Sequence, residues 1–305
     1  MALREFFHLI HIVNDEDEVD AWYDAVFSPQ RFVQRNWLDL EKRWASLSMI
    51  GNFMIEVIEP SSDAEDAQMP LTKFRTRFGE RFHSLAWYTD SGGIKPLFDS
   101  LRARGVRIAK PGGGIWPEGD VDPGPTIFTH PRDTSGQLEF VDVSFHWIDT
   151  DPRFQPGWSA EFWRTEHPLG IERVSHFTTL VTDLELATSL YEDALGATVV
   201  HRSESDDRLS AFVVVGVDTV VELAQPTGTS GPLAEDIQLN GELPYACTFR
   251  VRNLAAAEAY LEGLGLHASA RAGDTLTLDP KDSFGAVYAF TDADVPGFPP
   301  TTPAA

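Results

Sequence analysis

The sequence predicts an α+β chain built from four βαβββ units set in two pairs. Three observations carry that expectation. A segment with His, then Asp seven residues on, then Tyr eight residues further occurs twice, as His8, Asp15, Tyr23 and as His176, Asp183, Tyr191. Each copy closes on a similar strand, EVIEP ending at Pro60 and ELAQP ending at Pro226, so that His to Glu spans 48 residues in one (His8 to Glu56) and 46 in the other (His176 to Glu222). A shorter variant follows each copy: HSLAWYTD from His83 closes through Gly136 and Glu139, and ACTFRVRN from Ala246 closes through Gly285 and Tyr288. Self-similarity at matching spacings marks duplicated structural units.

The elements of each unit can be justified in order. A period-two apolar run opens it and reads as a strand. An N-cap residue follows (Asp15, Asp90, Asp183 or Asn253), then a helix with apolar residues three and four apart, such as Ile94 to Arg104. Three further strands are expected at about 31–36, 43–50 and 53–59 in the first unit and 197–203, 209–216 and 219–224 in the third. They are weakly marked in the second and fourth. The division is residues 1–143 for the first pair, 144–171 for a connector, 172–292 for the second pair and 293–305 for a tail. The connector carries Trp147, Phe154, Trp158, Phe162 and Trp163, which suits a packed segment. The Pro-rich tail reads as disordered.

Composition narrows the partners. Lysine and arginine total 24 against 47 acids, a formal charge of −23, which repels phosphate backbones and anionic bilayers. No apolar run reaches the roughly 20 residues of a membrane span. The acidic N-terminus shows no leader pattern, and the single cysteine, Cys247, suits a reducing compartment and reads as a core residue. The expectation is a cytoplasmic protein acting on a small molecule, with no nucleic-acid or membrane partner.

Four units with these signatures resemble the vicinal oxygen chelate superfamily, which includes glyoxalase I, methylmalonyl-CoA epimerase, extradiol dioxygenases and bleomycin-resistance proteins. The resemblance covers about 6–143 and 172–291. It implies that modules pair into two cup-shaped mixed sheets, with metal ligands on the first and last strand of each module. Since modules of that superfamily pair within or between chains, a homodimer is open. Carried over, the first pair offers His8, Glu56, His83 and Glu139 to one divalent metal ion. The second offers His176, Glu222, Ala246 and Tyr288, two of which are poor ligands. The resemblance therefore places the metal site in the first pair.

Two imidazoles with one or two carboxylates suit Zn, Ni, Mn, Co or Fe(II). With Glu56 and Glu139 both ligating, the set resembles that of a glyoxalase-like lyase or isomerase, where a carboxylate (Glu139 or Glu56) acts as base on a substrate chelated through adjacent oxygens. With His8, His83 and Glu139 alone, it resembles an Fe(II) extradiol-type dioxygenase. A non-enzymatic binding or resistance protein is the third reading.

The remaining features have plainer readings. His176, without partners, is expected to be structural. His11, three residues past His8, should point to the opposite face of its strand. Trp87 shares the face of His83 by alternation and, with His130, is a candidate wall of the substrate pocket. The stretch Lys110 to Asp120 reads as a mobile loop at the mouth of the first cup. The acidic run Asp15 to Asp20 reads as a helix N-terminus and solvated face.

Overall fold

The alternating runs fold as strands, and the computed structural model describes residues 3–145 and 150–298 of the chain. Trp147 of the connector and tail residues 299–305 lie outside the described residues. The first half runs β1 (Leu3–Ile12), α1 (Glu16–Phe27), β2 (Gln30–Leu38), β3 (Arg43–Ile50), β4 (Phe53–Pro60), α2 (Pro70–Phe78), β5 (Arg81–Thr89), α3 (Ile94–Ala103), β6 (Ile108–Ala109), β7 (Thr126–Thr129) and β8 (Gln137–Asp142). A short helix, α4 (Glu161–Thr165), sits in the connector. The second half repeats the order as β9 (Ile171–Leu180), α5 (Leu184–Leu195), β10 (Thr198–Glu204), β11 (Arg208–Val215), β12 (Thr219–Pro226), α6 (Pro232–Asn240), β13 (Pro244–Val251), α7 (Leu254–Gly263), β14 (Ala268–Ala272), β15 (Thr275–Leu278) and β16 (Val287–Thr291).

Each half forms one eight-stranded mixed sheet, in the orders β2-β3-β4-β1-β5-β8-β7-β6 and β10-β11-β12-β9-β13-β16-β15-β14. The two orders are the same list offset by eight, so the duplication read in the sequence is a duplication of topology. In each sheet the first strands of the two modules pair antiparallel at the centre and each last strand pairs parallel beside its own first strand.

Three of the four expected caps are in place. Asp15 accepts from Glu18 N at 3.0 Å, Asp183 from Leu186 N at 2.9 Å and Asn253 from Ala256 N at 3.0 Å. Asp90 is not a cap: its carbonyl accepts from Gly93 N at 2.8 Å in a turn, and α3 starts after Gly93. The acidic run is only partly solvated. Glu16 is fully buried 3.2 Å from Arg35, and burial pushes its carboxyl up to about 7. The connecting helices α2 and α6 had no counterpart in the sequence reading.

One apolar core runs through both halves. Phe6 stacks on Phe177 at 4.6 Å, Phe53 meets Phe249 at 5.6 Å, and Trp22 stacks on Tyr288 at 5.8 Å. Inside it runs a polar chain. His11 Nε2 donates to the Phe284 carbonyl at 2.9 Å, leaving Nδ1 to accept from the Tyr23 hydroxyl at 3.0 Å, and Tyr23 lies 2.5 Å from the Tyr288 hydroxyl. Gly285, at φ +74°, is so close to the first half that a Cβ there would lie 1.8 Å from the Glu80 carbonyl oxygen. Among the described residues no helix is long and apolar enough to cross a membrane.

Candidate functional site

The sheet order places β4, β1, β5 and β8 side by side, which aligns Glu56, His8, His83 and Glu139 across the first sheet. All four are buried, at 3 to 7 % exposure. His8 Nε2 lies 3.1 Å from Glu139 Oε2 and 3.5 Å from Glu56 Oε2. Burial pushes the His8 pKa down, and Glu56 and Glu139 more than offset this, leaving it raised. Burial also raises Glu139, and His8 offsets that only in part. Glu56 goes the other way, because Arg43 and His8 outweigh the effect of burial. His83 stands edge-on to Phe74 at 4.5 Å between ring centroids, its Nδ1 is 3.1 Å from the Ser84 hydroxyl, and burial holds its pKa down at about 4. It is therefore an uncharged imidazole at neutral pH.

Arg43 is the residue the sequence reading missed. Its guanidinium reaches Glu56 at 2.9 Å and Glu41 at 2.6 Å. The repeat could have shown it: Arg208 holds the same register in the second half, opposite Pro226 as Arg43 is opposite Pro60, and lies 3.2 Å from Glu222. Glu41, Glu56 and Glu139 against Arg43 leave the cluster two positive charges short when its imidazoles are neutral. In kind and in charge the donor set fits a divalent first-row cation. As the side chains stand, though, no three or more His, Cys, Asp or Glu among the described residues are grouped to hold a metal ion. His8 is engaged with Glu139, and Glu56 with Arg43.

Two cavities flank the cluster and share Glu41, Arg43, Phe128 and Glu139 as walls. The smaller, about 300 Å³, contains His8 and Glu56. The larger, about 520 Å³, contains His83 and His130 and is roofed by α2 and the glycine stretch Gly112 to Gly114. That stretch thus lies at the mouth of the first cup. Trp87 lines neither cavity. It is fully buried in the shared core against Phe6 and Phe140. Alternation fails because β5 carries a bulge: Leu85 pairs with Leu9 and Phe82 with His11, three residues against two, which puts His83 and Trp87 on opposite faces.

The same register corrects the second half. Cys247 pairs with Phe177 as Leu85 pairs with Leu9, and Thr277 pairs with Ala289 as Phe128 pairs with Glu139. Tyr245 and Ala289, not Ala246 and Tyr288, therefore stand where His83 and Glu139 stand. The ligand loss is unchanged in number but falls one residue away in each case. His176 and Glu222 do match His8 and Glu56, 3.7 Å apart, and Glu222 also accepts from Thr178 at 2.6 Å and Ser210 at 2.7 Å.

Residues 173–294 match the family described as Glyoxalase/Bleomycin resistance protein/Dioxygenase superfamily. The match lies within the second half of the chain. Members of the superfamily typically use a divalent metal ion. Among curated proteins, the chain is 29% identical over 126 residues to the ethylmalonyl-CoA/methylmalonyl-CoA epimerase of Cereibacter sphaeroides, covering 38% of this chain and 93% of that one. It is 29% identical over 131 residues to the mitochondrial methylmalonyl-CoA epimerase of Mus musculus, covering 40% of this chain and 73% of that one. Over the whole length, a triple mutant of 4-hydroxymandelate synthase from Streptomyces coelicolor shares the fold, with a TM-score of 0.66, 12% identity and coverage of 97% of this chain and 94% of that one.

Proposed function

We propose that this chain is a cytoplasmic, metal-dependent enzyme of the superfamily, which moves a proton on a small substrate that chelates the metal through adjacent oxygens. The first pair, 1–143, is the catalytic unit. One observation carries the reading: among the described residues only the first sheet sets an imidazole, that of His8, between two buried carboxylates, with Arg43 engaging one of them and leaving the other to His8. His8, His83, Glu139 and the Glu56 oxygen that faces His8 are the residues that would hold the ion. The ion would supply Lewis-acid stabilisation of oxyanion charge on the substrate.

The chain's own residues do the rest. Arg43 keeps Glu56 ionised and fixed. Glu139, raised by burial, takes and returns a proton at its Oε atoms within reach of His8 Nε2. Met49, Met54, Ala86 and Tyr88 keep the strands around His8 dry. The test is elemental analysis of the purified protein beside its His83→Ala variant. Stoichiometric metal in the first and depletion in the second are expected, and equal content would overturn the reading.

A second reading is favoured by Arg43. If its grip on Glu56 persists with metal bound, the ligand set reduces to His8, His83 and Glu139, a facial triad with open positions. That set suits an Fe(II) extradiol-type dioxygenase. Oxygen uptake by Fe(II)-reconstituted protein with catechol would favour it, and no uptake with aromatic diols would remove it.

A further inference from the structure

Cations are scarce in this chain, and most are neutralised locally. Fourteen of the 24 lysines and arginines form ion pairs with carboxylates among the described residues. Lys73, Arg77 and Lys110 have no carboxylate partner among the described residues, and all three line the larger cavity. Lys73 and Arg77 are exposed and four residues apart on α2, hence on one face of the helix. Lys110 comes from the other side of the mouth. Its loop is turned by glycines at positive φ, its carbonyl accepts from Gly113 N at 3.0 Å, and Gly113 abuts Pro70, the first residue of α2.

Two of these cations are held by rings. The Arg77 guanidinium lies 4.8 Å from the Phe78 ring centre, and the Lys110 ammonium 5.2 Å from that of Trp116. Below them the wall is apolar: Ile10, Ile58, Met69, Leu71 and Phe74. The two acids on this cavity are already engaged, Glu41 with Arg43 and Glu139 with His8. An unneutralised basic rim over an apolar shaft, on a chain of net charge −23, is a local reversal of the protein's field.

We propose that the larger cavity takes a substrate with an apolar body and a terminal anionic group, carboxylate or phosphate, held at the mouth by Lys73, Arg77 and Lys110. This names the substrate class of the site and rests on the reading of the first cup as the substrate's. The chelating oxygens enter first, toward His83 and Glu139, and the anion stays at the rim, where water still reaches it.

The test is calorimetric titration of EDTA-treated protein with octanoate, octyl phosphate and octan-1-ol. At least one of the two anions should bind roughly tenfold or more tighter than the alcohol, the increment expected of three partly exposed charges. The better anion identifies the head group. The exposed-site triple variant Lys73→Gln/Arg77→Gln/Lys110→Gln should bind octanol as before and lose the preference for the anion. Equal affinity for all three ligands, or an unchanged preference in the triple variant, would overturn the proposal. Because metal is removed throughout, the outcome is independent of elemental analysis: either reading can fail while the other stands.

Discussion

The two halves share one topology and differ in how a buried glutamate is satisfied. In the second, Glu222 is bonded by two hydroxyls and held by a guanidinium, with His176 as a distant neighbour. In the first, the positions of Thr178 and Ser210 are taken by Ile10 and Ala45, so Glu56 keeps only Arg43 and His8, and a second carboxylate crowds the same imidazole. One constellation is closed and charge-balanced. The other is left wanting positive charge. The difference teaches that duplication can fix the scaffold while a few hydroxyl-for-alkyl exchanges decide how fully a buried carboxylate is satisfied.

Four predictions bear on this comparison. The largest concerns the seam between the halves. Gly285→Ala would drive a Cβ into the Glu80 carbonyl and should cost about 5 kcal/mol or prevent folding; a melting temperature within a few degrees of wild type would show that the halves can slide apart. Next is acid stability. Burial holds the pKa of His11 down at about 4, against 6.5 unperturbed. The folded state therefore resists a proton that the unfolded chain accepts. The stability tied to neutral His11 is whole above pH 6.5 and is lost as pH falls toward 4, by about 3 kcal/mol. Denaturant titrations at pH 7 and pH 4 should show a smaller acid loss in His11→Gln than in wild type, and identical losses would refute the shift.

The third and fourth form a pair. Glu222→Gln leaves Arg208 without its charge partner, and because Arg208 reaches solvent the cost should be about 2 kcal/mol, short of that for a fully buried pair. Glu139→Gln relieves a surplus of buried negative charge and should cost less than about 1 kcal/mol while lowering metal affinity at least tenfold. If Glu139→Gln proved the more destabilising of the two, the contrast between a balanced and an under-compensated cluster would collapse.

Much of the fold was legible because the repeat fixes it. The His–Asp–Tyr spacing located β1 with α1 and β9 with α5, and three caps fell where the spacing put them. What escaped was non-local. The bulge in β5 adds one residue on one strand only, which counting from Asp90 cannot detect. It inverted the side assigned to Trp87. The match of His83 moved from Tyr245 to Ala246 for another reason: Asp90 was counted as the counterpart of Asn253, whereas Thr89 and Val251 hold the same register and Asn253 lies one residue further on. Arg43 escaped because a salt bridge between neighbouring strands has no sequence spacing of its own. Its recurrence as Arg208 was the available clue. The helix α2, with Pro70 at its start and Phe74 and Phe78 one turn apart, was readable in principle and supplies the rim of the larger cavity.

The continuous aromatic core has a consequence for how the chain can be divided. Phe6, Trp22, Phe27 and Phe53 from the first half meet Phe177, Phe249 and Tyr288 from the second, so a freestanding first half would present a broad apolar face to water. The second half serves as a permanent cover for the apolar face of the first. Truncation at the connector should therefore yield aggregate, not a minimal enzyme.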